Sequence, residues 1–363
     1  MTTAHINAIG TAVPPHEVHG AFVAFVRNNL DDAKQRHLFD RMEARSGIER
    51  RFSFIEPDVL PDGRVTDTER FYALDAFPST AQRMDRYERW APELALRAIG
   101  ALSPDIADEG ITHLVVASCT GFVAPGIDQL IVARTGIDPG VERTVVGFMG
   151  CYAAVNALRT AHHIVRSEPQ ARVLVVAIEL CTLHFQRTGE LEKLLSMLLF
   201  GDGAAAAIVT AESTGIALTD FRSAAIPGSA DAITWRIGDQ GFDMHLGGEV
   251  PARIADALTL ERSRNDDGGL LRGEAPDSFD LWAVHAGGRT ILDAVERAFE
   301  LDPATLTPSR GVLRDFGNIS SATLMFVLQR MLAERKPDGG NAKGLALAFG
   351  PGLAAESFRF RLL

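Results

Sequence analysis

The sequence predicts an α/β protein assembled from two copies of one unit, and three observations carry that expectation. Short β-branched runs alternate with longer stretches of helical period along most of the 363 residues. Chemically similar segments recur at one fixed offset. Hydrophobic residues make up 46% and charged residues 23%, which supplies a large core and excludes a disordered or fibrous chain.

Taken in order, the strand candidates of the first half are His113–Ser118 (HLVVAS), 144–147 (TVVG), 172–179 (RVLVVAIE) and 204–209 (AAAAIV). Each is a short apolar run bounded by turn residues, the pattern of a buried strand. The second half offers 280–285 (DLWAVH), 311–315 (GVLRD) and 344–348 (GLALA). Helices are expected over 152–166, 290–300 and 321–334, between those runs. Segments 58–68 and 262–277 are polar, rich in Gly, Pro and Asp, and read as surface loops. The most apolar stretches, 173–178 and 194–200, fall far short of the roughly 18 residues of a membrane span. No membrane insertion is expected.

The duplication is read from three pairs of segments. LVVASCTG at 114–121 is similar to LWAVHAGG at 281–288, and 285 − 118 gives an offset of 167. FMGC at 148–151 lies against DFGN at 315–318, where 318 − 151 is again 167. FGDGAAA at 200–206 matches FGPGLAA at 349–355 at an offset of 149, which requires only a shorter connection in the second copy. Two α/β halves, 1–215 and 216–363, follow from this pattern.

Net charge is −11, from 36 basic and 47 acidic residues, so the chain as a whole repels a polyphosphate and no nucleic-acid partner is expected. The first residues, MTTAHINAIGTAVPP, have neither the basic nor the apolar region of a secretory signal, and a cytoplasmic protein is expected. Cys119, Cys151 and Cys181 are odd in number and lack CxxC spacing. They fit neither a disulfide framework nor a zinc site, and no metal is expected.

Cys151 stands where a strand turns through Gly150 into a helix. Unpaired N–H groups and the positive end of the helix dipole favour a thiolate there, so Cys151 is a candidate nucleophile; the alternative is a buried small hydrophobe. His285 ends an apolar strand before Ala286-Gly287-Gly288, a loop able to approach a ligand closely, although a structural histidine has the same appearance. Asn318 begins a helix much as Cys151 does, and could equally be its N-cap. The duplication sets Cys151 and Asn318 on equivalent turns and His285 on the strand matching 114–118. A pseudo-two-fold arrangement of the halves would bring all three together.

These same residues carry a family resemblance. GFMGCYAAVNAL around Cys151, LFGDGAAAAIV around Phe200, VHAGG around His285, GNISSA around Asn318 and Ser320, and FGPGLAAE near the end together resemble the type III polyketide synthases. These are the chalcone synthase-like branch of the thiolase superfamily. The resemblance implies a thiolase-like five-layered αβαβα fold, a homodimer, and no cofactor beyond the CoA thioesters used as substrates, acyl-CoA and malonyl-CoA. It implies Cys151 as the acyl-bearing nucleophile, with His285 and Asn318 completing the triad.

Carried over in the same way, Phe200 and Met244 match two gatekeepers between CoA tunnel and cavity, and core packing is the alternative for both. Arg41 and Arg45, four residues apart on one helical face, match two CoA-phosphate positions, and Leu38 stands at a third. An exposed basic helix face would look the same. Thr120, Ala124 and Cys181 resemble the small-residue lining with which long-chain acyl-utilising bacterial members open a tunnel. Ala124 stands where plant members place a Met that protrudes into the partner's cavity. His184 is bulky and polar where plant members carry threonine, and Ser320 belongs to the substrate wall.

The expected activity is iterative condensation of malonyl-CoA onto a medium- or long-chain fatty acyl-CoA, giving alkylpyrones or alkylresorcinol-type phenolics. Rival readings are a malonyl-primed synthase of a compact aromatic such as tetrahydroxynaphthalene, and a ketoacyl synthase III. A papain-type cysteine hydrolase and a catalytically dead acyl-binding subunit account for fewer of these segments.

Overall fold

The computed structural model describes residues 2–73, 76–334 and 341–363. The chain opens with strand β1 (Ala4–Ala12), then β2 (His16–Glu17), helices α1 (His19–Asn29) and α2 (Ala33–Ser46), and β3 (Phe52–Ser53), which pairs with β2. A ribbon of β4 (Pro57–Val59) and β5 (Val65–Asp67) leads to the long helix α3 (Thr80–Leu102). The first half then runs β6 (His113–Ser118), α4 (Ile127–Thr135), β7 (Glu142–Gly147), α5 (Ala153–Ser167), β8 (Val173–Leu180), α6 (Leu191–Leu199) and β9 (Asp202–Thr210). In the second half β10 (Ile216–Ala225) precedes a hairpin of β11 (Ile233–Gly238) and β12 (Gly241–Leu246), followed by α7 (Val250–Arg262) and β13 (Leu281–Val284). Helices α8 (Arg289–Phe299), α9 (Thr307–Phe316) and α10 (Thr323–Ala333) and strands β14 (Ala342–Gly350) and β15 (Ala354–Leu362) complete it.

Nine strands form one sheet in the order β13-β14-β15-β10-β1-β9-β8-β6-β7. The halves meet where β1 and β10 pair antiparallel, Ile6 opposite Ile216. Outward from that seam each half repeats one pattern. β9, like β15, pairs antiparallel with the strands on both sides of it, and β8 with β6, like β14 with β13, is parallel.

Side-chain alternation along these strands builds the layers. Leu114, Val116, Leu174 and Val176 face α3 and α4, through Leu94, Ile99 and Ile131. Their neighbours Val115, Ala117, Val173 and Val175 face inward, onto Leu158 of α5 and Val327 of α10. Ala346, Ala348 and Phe358 close the same inner layer from the second half. Trp282, Val284, Leu345 and Leu347 turn outward onto α7 and α8. The result is helix, sheet, helix, sheet, helix: the five-layered thiolase-like arrangement.

Two local expectations change. The segment 311–315, read as a strand from its short apolar run, lies inside α9. Pro308 in the first turn starts that helix, and Ser309, Val312 and Leu313 are buried at helical spacing. Among the described residues, strand β7 therefore has no counterpart in the second half. The segment 58–68 is not an open loop but the turn that closes β4 on β5, with the Leu60 N–H bonded to the Arg64 carbonyl at 2.8 Å.

Candidate active site

The turn after β7 is shaped by close approach from the other half. Gly150 has φ +77°, and a Cβ there would lie 2.2 Å from Cδ of Pro351. Only glycine combines that conformation with that contact. A Cβ at Gly350 would lie 2.7 Å from the ring of Tyr152, whose hydroxyl donates to the Pro351 carbonyl at 3.2 Å. The segment FGPGL thus packs directly on the turn that carries Cys151. A single 3₁₀ turn, Gly150–Tyr152, leads from there into α5.

Asn318 is fixed by backbone pairing with the first half. Its N–H donates to the Leu199 carbonyl at 2.8 Å, and its own carbonyl accepts from Gly201 N–H at 3.0 Å. Oδ1 accepts from the Ser320 N–H at 2.8 Å, and Nδ2 donates to the Gly287 carbonyl at 3.2 Å. The capping role and the site role therefore coexist, since one Nδ2 hydrogen stays available. The Asn318 side chain stands close enough to both the Cys151 sulfur and the His285 ring to affect the protonation of each, and Ser320 does the same, through its side chain for the sulfur and its backbone for the ring. Ser320 itself has φ +46°, in the left-handed region that a residue other than glycine adopts at some cost.

Burial controls the protonation of the pair. It pushes the Cys151 thiol up to about 11, against the downward pull of hydrogen bonds from Ser320 and Asn318, while the Glu179 carboxylate pushes the same way as burial. The same effect lowers His285 to about 4, opposed by its bonds to Ser320 and Asn318. The sequence argument for a depressed thiol counted the helix start and not the desolvation, and here desolvation is larger. A thiol and a neutral imidazole are the favoured separate forms. His285 is 2% exposed and its Nε2 is buried without a hydrogen-bond partner.

In front of this cluster lies a cavity whose wall includes Cys151, Thr120, Cys181, His184, Phe200, Met244 and Ser320. His285 and Asn318 are buried behind that wall. Ala124 is not part of it; the residue is exposed on the loop after β6. Arg41 and Arg45 are exposed on α2, also outside the wall, and Leu38 is exposed beside them. Helix α2 reaches the site's surroundings through Phe39, which shares an apolar cluster with Leu194 and Leu198 of α6.

Glu179 and Trp235 were not singled out from sequence, and His184 was singled out without its role. Glu179, at the end of the fully buried β8, accepts from the Cys119 N–H at 3.0 Å, from the Thr120 hydroxyl at 2.8 Å and from the Ser321 hydroxyl. Burial raises its carboxyl to about 7 despite those bonds. A charge closing an all-apolar strand was the available signal. His184 joins two elements. Its Nε2 meets the Thr120 carbonyl at 2.7 Å, and its Nδ1 accepts from the Phe242 N–H at 3.0 Å. The ring stacks on Phe242 with centroids 4.1 Å apart, and burial lowers its pKa to about 3. Trp235, from the facing strand of that hairpin, donates from Nε1 to the Cys119 carbonyl at 2.8 Å. His184 is thus a neutral latch holding the β11–β12 hairpin over the cavity.

Comparison with known proteins is consistent across the whole chain. Residues 1–213 match the family described as chalcone and stilbene synthases, N-terminal domain, and residues 218–363 match its C-terminal domain. Bisdemethoxycurcumin synthase of Oryza sativa subsp. japonica is 36% identical over 98% of this chain and 91% of its own length. The alpha-pyrone synthesis polyketide synthase-like Pks18 of Mycobacterium tuberculosis is 30% identical over 100% of this chain and 92% of its own. Among solved structures, PKS-I of the brown alga Ectocarpus siliculosus superposes with a TM-score of 0.86 at 26% identity, covering 100% of this chain and 99% of that one. The C-terminal type III polyketide synthase domain of Steely1 from Dictyostelium gives 0.84 at 25% identity, covering 99% of both chains.

Proposed function

Because the chain belongs to the chalcone and stilbene synthase family, and is a type III polyketide synthase with the acyltransferase chemistry of a condensing enzyme, we propose that it loads a fatty acyl group from acyl-CoA onto Cys151 and extends it with malonyl-CoA. The observation that carries this reading is that the Asn318 side chain stands beside both the Cys151 sulfur and the His285 ring, acting on the protonation of each. That arrangement suits each step. The Cys151 thiol passes its proton to Nε2 of His285 as the sulfur attacks the starter carbonyl. CoA departs as a thiolate and takes a proton from solvent, so the imidazolium keeps its Nε2–H. Malonyl-CoA then loses carbon dioxide, and the enolate oxygen that forms is met by that N–H and by the remaining Nδ2 hydrogen of Asn318. One such donor is typically worth about 3–4 kcal/mol in a dry site. The enolate carbon attacks the acyl-cysteine carbonyl, and the Cys151 thiolate is released beside the imidazolium, ready for another round.

The halves 1–215 and 216–363 then supply the nucleophile and its two partners respectively. The reaction uses no metal or redox cofactor in this reading and proceeds in a cytoplasmic homodimer. An exposed apolar face at Phe122, Val145 and Met149 supports that association. Among the described residues no helix is long and apolar enough to cross a membrane. A fatty starter is favoured by the small side chains of Thr120 and Cys181 on the cavity wall, with alkylpyrones or alkylresorcinols as products.

The test is to incubate a panel of acyl-CoAs with radiolabelled malonyl-CoA, without a carrier protein, and to identify products by mass. Chain growth from fatty starters is the expected result. Growth from malonyl-CoA alone selects the compact-aromatic synthase. No growth until a malonyl-carrier protein is added selects the ketoacyl synthase reading.

A further inference from the structure

The cavity in front of Cys151 does not end at Phe200. Phe200 is paired through its backbone with Asn318, and its carbonyl accepts from Nη1 of Arg51 at 2.7 Å. The Arg51 guanidinium in turn lies over the ring of Phe22, 4.6 Å from its centre. Along this path the same cavity continues into an arm between α1 and the β4–β5 ribbon, lined by Val18, Ala21, Phe22, Phe25, Ile55 and Val65.

Most polar groups on this wall are already engaged within the protein, the buried Nη2 of Arg51 being an exception. The Ser53 and Thr182 hydroxyls share a hydrogen bond of 2.7 Å, and Thr182 donates to Asp202 at 2.6 Å. The Tyr72 hydroxyl donates to the Thr182 carbonyl at 2.6 Å. Asp67 accepts the Phe71 and Tyr72 N–H groups at 2.7 and 2.8 Å. Arg51 bonds from Nη1 to the carbonyls of Phe200 and Met197, and from Nε to His19, with Phe22 against its face. What the arm offers a ligand is therefore apolar surface, which suits hydrocarbon. The pantetheine portion of CoA, with two amides, would find few polar partners there beyond Nη2 of Arg51, and the CoA phosphates have Arg41 and Arg45 exposed on α2 instead.

We infer that this arm, rather than a passage at Ala124, holds the alkyl tail of the starter and sets its length. The inference rests on the fatty-starter reading above. Ala21 and Val18 are half-buried on the arm wall, so larger side chains there would occupy its space.

The test compares Ala21→Phe and Val18→Phe with Ala124→Phe across saturated acyl-CoAs from hexanoyl to palmitoyl, with thermal midpoints measured for each. The readout is the ratio of kcat/KM for palmitoyl to that for hexanoyl. A fall of at least about tenfold is expected in both arm variants, with the preferred starter becoming shorter, and a change within about twofold in Ala124→Phe. As a second measurement, a palmitoyl-CoA analogue bearing a terminal diazirine should label peptides of α1 or the β4–β5 ribbon in the wild-type protein. Wild-type ratios in folded arm variants, a uniform loss over all lengths, or labelling confined to 120–126 would overturn the inference while leaving the fatty starter intact. A wild-type protein that extends only short starters would remove the fatty-starter reading itself, and this inference with it.

Discussion

Asn318 shows how much one amide can be asked to do. Its Oδ1 holds the turn through Ser320 N–H and one Nδ2 hydrogen anchors the Gly287 loop, while in the proposed reaction the other meets the enolate oxygen. Asn318→Ala is accordingly expected to slow malonyl-CoA decarboxylation by about 100-fold or more, while loading of Cys151 survives better than in His285→Ala. Intact decarboxylation in Asn318→Ala would leave the residue a cap only. For the nucleophile, burial and the Glu179 charge, against hydrogen bonds from Ser320 and Asn318, set the thiol at about 11. In the proposed reaction a thiolate at lower pH therefore forms when the thiol passes its proton to His285, whose imidazolium then stabilises it. The sign follows: removing that charge moves ionisation upward. The pH at which Cys151 becomes reactive to iodoacetamide is expected to rise in His285→Gln, and an unchanged inflection would contradict the pairing. Cys151, His285 and Asn318 were all readable from strand-end and motif positions. Glu179 was not, because its importance comes from the donors that Cys119, Thr120 and Ser321 supply from other elements.

Elements meet at two contacts that substitution can probe. At the nucleophile turn, Gly150→Ala places a methyl group against Pro351 in a conformation that disfavours any side chain. A loss of about 1–3 kcal/mol is expected from the backbone alone, with more from the collision. Adding Pro351→Ala should recover the collision part and not the rest; equal urea midpoints for the single and double variants would contradict this. At the hairpin latch, the His184 pKa in the folded chain is about 3 against an ordinary 6.5. Between those values the unfolded chain binds the proton and the folded chain does not, so stability falls as pH drops below 6.5. Over pH 6.5 to 5 this one group accounts for about 2 kcal/mol. His184→Gln should show a smaller acid-induced loss by that amount, and an identical loss would place the ring in water rather than between Thr120 and Phe242. Helix α9 marks where the sequence misled. GVLRD copies the position of TVVG in the repeat, but Pro308 and the helical spacing of its buried residues decide the local structure.

Across the whole molecule the repeat was the most informative feature of the sequence. The offset of 167 aligned two turns, and the fold brings those turns to one point, with the FGPGL segment of the second half packed on Cys151's turn. The arm under α1 was illegible for the converse reason. The aromatic and basic clusters of the first 90 residues do not repeat later in the chain, and the wall at Ala21, Ile55 and Val65 exists only once α1 and the β4–β5 ribbon are packed together. Ala124 was readable as small, and in this chain it is exposed outside the cavity wall, because no pattern in a single sequence says which cavity a loop faces. The central claim is that residues of both halves act together on an acyl group carried by Cys151. Its most direct test is peptide mapping of the acyl adduct after brief exposure to decanoyl-CoA, in wild type, Cys151→Ser and Asn318→Ala. One acyl group per chain on the Cys151 peptide is expected in wild type and Asn318→Ala, with none in Cys151→Ser, and with polyketide on later addition of malonyl-CoA in wild type only. An adduct on Cys119 or Cys181, or one that persists in Cys151→Ser, would contradict it.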